Sequence, residues 1–226
     1  MPKPPMVKCP STDSAMDSSK AQEGKRHYRI VILGPAKVGK TSIISQFLYE
    51  NFQQQYVPTV EELHRSHYEI DGMKLTLDII DTSGEYEFPA MRRLNICNGD
   101  AFVLVYSLAD ESTLDEVKKI RQQILDEKKT DEVPIVIVGN KSDIADKERE
   151  MQRETVETVV NIDWGNGYVE SSAQNNKNID EIFKELLVQS RIQFQLSPAI
   201  RRRKRQSVPN LSNRKSFKQT SGCIIS

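Results

Sequence analysis

The chain has 226 residues, 37% hydrophobic and 28% charged, enough for one domain of ordinary size with room for tails. No apolar run approaches the roughly 20 residues that span a bilayer, the N-terminus lacks a signal-peptide core, and Cys9, Cys97 and Cys223 offer neither metal spacing nor a disulfide framework, so an intracellular, reduced protein is expected. The net charge of zero hides an asymmetry: nine Lys/Arg and no Asp/Glu lie between Leu186 and Ser226, leaving 23 basic against 32 acidic residues elsewhere, as for a tail that meets an anionic surface.

Residues 1–24 are rich in Pro, Ser and Lys without hydrophobic periodicity, and read as a disordered extension. The apolar run Tyr28–Leu33 then breaks at Gly34 and continues Pro35-Ala36-Lys37-Val38-Gly39-Lys40-Thr41-Ser42. This is strand, phosphate loop and helix start in the G-x-x-x-x-G-K-[ST] spacing. Backbone N–H groups must point inward around a phosphate chain, and side chains would obstruct that approach. The helix start adds unpaired N–H groups and its dipole. Lys40 would reach the β- and γ-phosphates, and the Thr41 hydroxyl would coordinate Mg²⁺.

Ile43, Ile44, Phe47 and Leu48 mark one face of the following helix. Glu50 to Glu62, with Pro58 and a glutamine run, reads as a long loop, a feature usually functional in a compact domain. Leu63–Ile70 and Lys74–Asp81 alternate around Asp71-Gly72, predicting an antiparallel hairpin. Ala101–Leu108 and Val133–Asn140 are nearly continuous apolar strands, expected to be covered on both faces, with helices over about Ser112–Lys128 and Glu148–Val160. A last helix starts near Asn178, with Glu181 placed for a capping box and Ile179, Ile182, Phe183, Leu186 and Leu187 as its core stripe. The fold class is α/β: a mostly parallel six-stranded sheet with one antiparallel edge strand and helices on both faces.

Two later motifs converge on a nucleotide. Asp81-Thr-Ser-Gly84-Glu85 ends a strand, where the carboxylate can hold Mg²⁺ and the Gly84 N–H can approach a γ-phosphate. Asn140-Lys141-Ser-Asp143 selects the base: Asp143 can accept from N1–H and the N2 amino group of guanine, and adenine has neither donor. Glu170-Ser171-Ser172-Ala173 supplies backbone N–H groups for the guanine oxygen.

With GPAKVGKT, YVPT, DTSGE, NKSD and ESSA in order, the sequence resembles a small GTPase of the Ras family over residues 25–197, with a small insertion before Glu170. Phe88-Pro-Ala-Met-Arg-Arg-Leu94 and Arg121-Gln-Gln-Ile-Leu-Asp126 are most similar to the branch of dexamethasone-induced Ras and Rhes, whose members carry longer basic extensions. The resemblance implies a P-loop GTPase fold and GTP/GDP with Mg²⁺ as cofactors. It further implies that Phe52 packs on the guanine and that Thr59 binds Mg²⁺ and senses the γ-phosphate. Effector proteins would meet Tyr56–Glu62 and the Gly84–Asn95 region, and an exchange factor and a GTPase activator would regulate the switch.

Glu85 stands where the family usually has Gln, which can donate to the γ-phosphate and accept from the attacking water. An ionised Glu only accepts hydrogen bonds and adds negative charge beside a polyanion. Ala36 and Lys37 replace common glycines. Hydrolysis, with Lys40, Thr59, Gly84 and Glu85 as its residues, is therefore expected to be slow. A largely GTP-loaded scaffold is the alternative, and a metabolic P-loop ATPase or kinase is disfavoured by Asn140–Asp143. Residues 198–226 form a basic tail ending Cys223-Ile-Ile-Ser226, a signal for a prenyltransferase that favours farnesyl. One lipid needs a second signal, and Arg201–Arg205, Arg214, Lys215 and Lys218 supply it toward an anionic inner leaflet. The expected location is the cytoplasmic face of the cell membrane. The competing reading of the basic run is a nuclear-import or nucleic-acid patch, but no aromatic interleaving supports nucleic-acid binding.

Overall fold

The computed structural model describes residues 27–70, 73–84, 88–144 and 149–190; the N-terminal extension, Asp71-Gly72, Glu85 and the tail with Cys223 lie outside them. In chain order these residues form β1 (His27–Leu33), α1 (Lys40–Tyr49), β2 (Glu61–Ile70), β3 (Met73–Thr82), α2 (Pro89–Asn98), β4 (Ala101–Ser107), α3 (Glu111–Lys128), β5 (Ile135–Asn140), α4 (Arg153–Thr158), β6 (Gly167–Glu170) and α5 (Ile179–Gln189). The six strands make one sheet in the order β2-β3-β1-β4-β5-β6. β2 pairs antiparallel with β3, from Glu61 opposite Thr82 to Ile70 opposite Met73, and the other four pairings are parallel. This is the expected mixed sheet with one antiparallel edge.

Alternation along the central strands divides the core in two. Ile30, Ile32, Val103, Val105 and Val138 join Ile43 and Phe47 of α1 and Phe183 and Leu186 of α5 on one face. The Phe47 and Phe183 rings stack there with centroids 3.6 Å apart. Val31, Leu33, Phe102, Leu104 and Ile137 meet Ile96 of α2, Val117 and Ile124 of α3 and Val156 of α4 on the other face. β4 and β5 are buried at every position because both faces are covered, which explains their continuous apolar sequences.

Several boundaries differ from the sequence reading. β2 begins at Glu61, inside the stretch expected to be loop, because main-chain pairing with Thr82 and Asp81 holds two glutamates in the sheet edge. The helix expected from Glu148 begins at Arg153 and runs into a π-helical turn, Val159–Asp163, just before the stretch that carries the insertion. α2 has no clear signal in the sequence. Pro89 suits its first position, but only Asn95, Ile96 and Cys97 are buried, too short a stripe to show periodicity. Asn178 makes no capping box: its φ is 57°, and its side-chain amide donates to the Glu170 carbonyl at 2.8 Å.

The parallel strands end together at one edge of the sheet. Gly34 after β1, Asp81 near the end of β3, Asn140 at the end of β5 and Ser171 after β6 therefore share that edge. Loops at this edge are where an α/β sheet binds ligands.

Candidate nucleotide and metal site

The chain leaves β1 with φ +147° at Gly34, where a Cβ would fall 2.2 Å from the Val105 carbonyl oxygen. Only glycine can turn there. The loop folds over Lys40, whose buried ammonium donates to the carbonyls of Gly34 and Pro35, both at 2.8 Å. Lys37 adopts φ 62°, a conformation uncommon for a residue with a side chain. Its ammonium lies 5.9 Å from the centre of the Tyr56 ring, so the phosphate loop and the 50–60 loop meet across the groove. Gly84 approaches the opposite side so closely that a Cβ would fall 2.4 Å from the Ala36 backbone nitrogen.

Gly39, Lys40, Thr41, Asn140, Asp143 and Ala173 line one groove of about 830 Å³. Ala36, Lys37, Ser42, Phe52, Thr59, Gly84 and Lys141 of the base-recognition loop also line it. Phe52 is half-buried and also packs on the α1/α5 core. Pro35, Val38 and Ser172 are buried behind the groove and shape the loops that bound it.

Three oxygen-bearing side chains meet beside the phosphate loop. The Thr41 hydroxyl donates to Asp81 Oδ2 at 2.7 Å, and the Thr41 and Thr59 hydroxyl oxygens are 2.7 Å apart. Thr41 has one proton, committed to Asp81, so Thr59 donates to Thr41. Asp81 is fully buried, and its second oxygen, Oδ1, has no hydrogen-bond partner among the described residues. Burial pushes its carboxyl above the ordinary range, with the Thr41 bond and Lys40 pulling it back. A buried, half-satisfied carboxylate flanked by two hydroxyls fits a hard divalent cation such as Mg²⁺. No cluster of three or more His, Cys, Asp or Glu among the described residues offers another metal centre.

At the other end, Asn140 ties three loops together. Its Nδ2 donates to the Val38 carbonyl at 2.8 Å, and its Oδ1 accepts from Ala173 N at 3.2 Å and Ser171 Oγ at 3.3 Å. The Ala173 amide expected to face guanine is therefore bonded to Asn140 in this structure. Asp143 is exposed and accepts from Ser172 Oγ at 2.5 Å. Lys141 has φ 70°, which turns the chain between these two residues.

Sequence reasoning missed the supports behind these groups. Gln46 Nε2 donates to the Ala173 carbonyl at 2.7 Å, coupling α1 to the base loop. Asn95 Nδ2 donates to Glu61 Oε2 at 3.0 Å, linking α2 to the start of β2. The Glu170 side chain points away from the groove to Arg149 and Tyr168. Gln46 and Ala173 lie 127 residues apart and Asn95 and Glu61 lie 34 apart, so no local spacing signals either pair.

The model of the Ras family matches residues 29–192. The chain is 43% identical over 187 residues to "GTP-binding protein Rhes" of Homo sapiens, covering 79% of this chain and 70% of that one. The Mus musculus protein of the same name is 43% identical over 184 residues, covering 78% and 69%. A phosphate loop, a Thr–Asp–Thr oxygen set and an Asn–Asp base loop at one sheet edge agree with these matches. The chain belongs to the Ras family of small GTPases, which bind GTP or GDP with Mg²⁺ and hydrolyse GTP.

Proposed function

We propose that this chain is a lipid-anchored GTP/GDP switch at the cytoplasmic face of the cell membrane, with slow intrinsic hydrolysis. The contact between Thr41 and Thr59 carries the switch reading. Thr59 belongs to the irregular 50–60 loop, whereas Thr41 opens α1 and Asp81 lies in β3. Thr59 alone lies outside helix and strand, so its loop would follow whatever group these oxygens share. Thr41, Thr59 and Asp81 would hold Mg²⁺, which when bound neutralises charge on the phosphates. Lys40 binds the β- and γ-phosphates, Gly84 offers its N–H to the γ-phosphate, and Asn140 and Asp143 orient guanine beside Phe52. With the γ-phosphate in place, Thr59 and Gly84 hold their loops for effectors; after hydrolysis both contacts go, and the loops are released.

Two residues support slow turnover. Glu85 offers the attacking water an acceptor but gives the γ-phosphate no donor, and its charge opposes the substrate's. Ala36 adds a methyl group to the loop segment against which Gly84 already packs. Denaturing freshly purified protein and identifying the released nucleotide tests this: mostly GTP is expected. Mostly GDP, with single-turnover hydrolysis of the Glu85→Gln variant no faster than wild type, would remove the slow-turnover claim. The scaffold reading rests on the same two residues and predicts GTP retention even with an activator present. For the anchor, Cys223→Ser is expected to shift the protein from membranes to cytosol, because the basic residues of 201–218 alone bind anionic lipid reversibly. Unchanged membrane signal would defeat the prenyl reading.

A further inference from the structure

β4, β5 and β6 carry an unusual row just beneath the base-recognition loops. Tyr106 pairs with Gly139 in register, and Gly139 pairs with Glu170. Gly139 has no side chain, and a Cβ there would fall 2.7 Å from the Tyr106 hydroxyl. The Tyr106 side chain occupies that space and reaches across the middle strand to the Tyr168 hydroxyl at 2.8 Å. Tyr168 in turn donates to Glu170 Oε1 at 3.0 Å. Since the one proton of Tyr168 goes to Glu170, Tyr106 donates to Tyr168. Arg149 closes the chain, bonding both oxygens of Glu170 and the Met151 carbonyl. Tyr106 is fully buried, and burial pushes both phenols above their ordinary range, which keeps the protons that make the relay.

The row sits where both base loops leave the sheet. Asn140 follows Gly139 directly, and Ser171 follows Glu170. Ser171 N donates to the Gly139 carbonyl at 2.8 Å, and Ser142 N donates to the Ser171 carbonyl at 2.9 Å. Fixing Glu170 relative to Gly139 therefore fixes Asn140–Asp143 relative to Ser171–Ala173. The exposed Asp143 carboxylate accepts from Ser172 Oγ, so its aim follows the placement of the Ser171–Ala173 loop. We infer that Tyr106 is a positioning residue for guanine recognition, its hydroxyl bracing Tyr168 and Glu170 so that the Asp143 carboxylate stays aimed at the base. The inference rests on the reading that Asp143 accepts from guanine.

The full chain, loaded in turn with GDP and with IDP, tests it. Inosine keeps N1–H but lacks the N2 amino group, so the ratio of IDP to GDP dissociation constants isolates the N2 half of the Asp143 contact. Wild type is expected to prefer GDP; equal binding would overturn the guanine reading itself. Given that preference, Tyr106→Phe removes one hydroxyl and is expected to lower the ratio about three- to tenfold, the worth of one hydrogen bond. Single-turnover hydrolysis of bound GTP should stay within about twofold, because the Tyr106 hydroxyl bonds to Tyr168 and not to Lys40, Thr41, Thr59 or Asp81. Tyr168→Phe breaks the same relay at its next link, is an independent check if the first variant folds poorly, and should lower the ratio likewise. An unchanged ratio in both variants would overturn the bracing role. So would equal weakening of GDP and IDP, because a merely structural hydroxyl would loosen both alike.

Discussion

Asn140 is the residue whose removal has the most directly calculable effect. It is buried, and Asn140→Ala deletes its bonds to the Val38 carbonyl, the Ala173 amide and the Ser171 hydroxyl together. The first two are the shorter bonds, and Val38 and Ala173 are themselves buried, so each loses its partner in a largely dry setting. The Ser171 bond, at 3.3 Å, adds little. Two buried groups left unpaired cost about 1–3 kcal/mol each, giving roughly 2–6 kcal/mol in all. For a domain of this size each kcal/mol lowers Tm by about 2–4 °C, so a fall of roughly 4–24 °C is expected. Thermal unfolding should be followed at several GDP concentrations with Mg²⁺, because a weakened ligand stabilises the folded state less and would enlarge the shift. Extrapolation to zero nucleotide separates the two effects. Ser171→Ala, which removes only the longest bond, should change Tm by no more than about 3 °C. If Asn140→Ala changes Tm by less than about 2 °C after extrapolation, the effect of under 1 kcal/mol, the energies assigned to these bonds are wrong.

Thr41→Ala should leave Asp81 with neither oxygen bonded by a hydroxyl and weaken the cation site, so EDTA should accelerate nucleotide release far less than in wild type. A full EDTA response would show that Thr41 does not hold the metal. Gly34→Ala places a methyl group 2.2 Å from Val105 O at φ +147°, and should cost about 2 kcal/mol or more, read as a lower urea midpoint. An unchanged midpoint would show that the loop relaxes around the added methyl. Asp78 provides the pH prediction. The Arg65 guanidinium bonds its carboxylate at 2.6 and 2.8 Å and, with His27 assisting, holds its pKa down at about 2. A folded value below the unfolded one contributes stability that is complete above the unfolded pKa near 3.8 and lost as pH falls toward 2. Arg65→Ala should therefore move the acid-unfolding midpoint to higher pH; an unchanged midpoint by circular dichroism would show that Arg65 contributes nothing there.

Local chemistry made much of this protein legible. The phosphate loop with Thr41, the Asp81–Glu85 segment and the base loop are each short, contiguous motifs whose spacing follows from the geometry of a phosphate chain and a purine edge. β4 and β5 were readable because burial on both faces demands unbroken apolar runs, and α5 because one exposed and one buried face produce a clear stripe. The alternating signal around Asp71-Gly72 likewise announced the antiparallel pair. Glu85, Cys223 and the basic run lie outside the described residues, so their roles rest on sequence chemistry.

Tertiary structure decided what depends on partners distant in the chain. The helix α2 has too short a buried stripe to announce itself and forms where Ile96 meets β1 and β4. Asn178 offered a capping signal, but the Glu170 carbonyl took its amide. The meeting of Thr41, Thr59 and Asp81 depends on how a loop folds back over a helix start. Tyr106 reads as one more residue of a buried strand, and its hydroxyl acquires a role only because Gly139, on the neighbouring strand, leaves room to reach Tyr168. A hydrogen bond acts over about 3 Å, whereas the residues that make these bonds are separated by tens of positions; only the packed sheet brings them within that range.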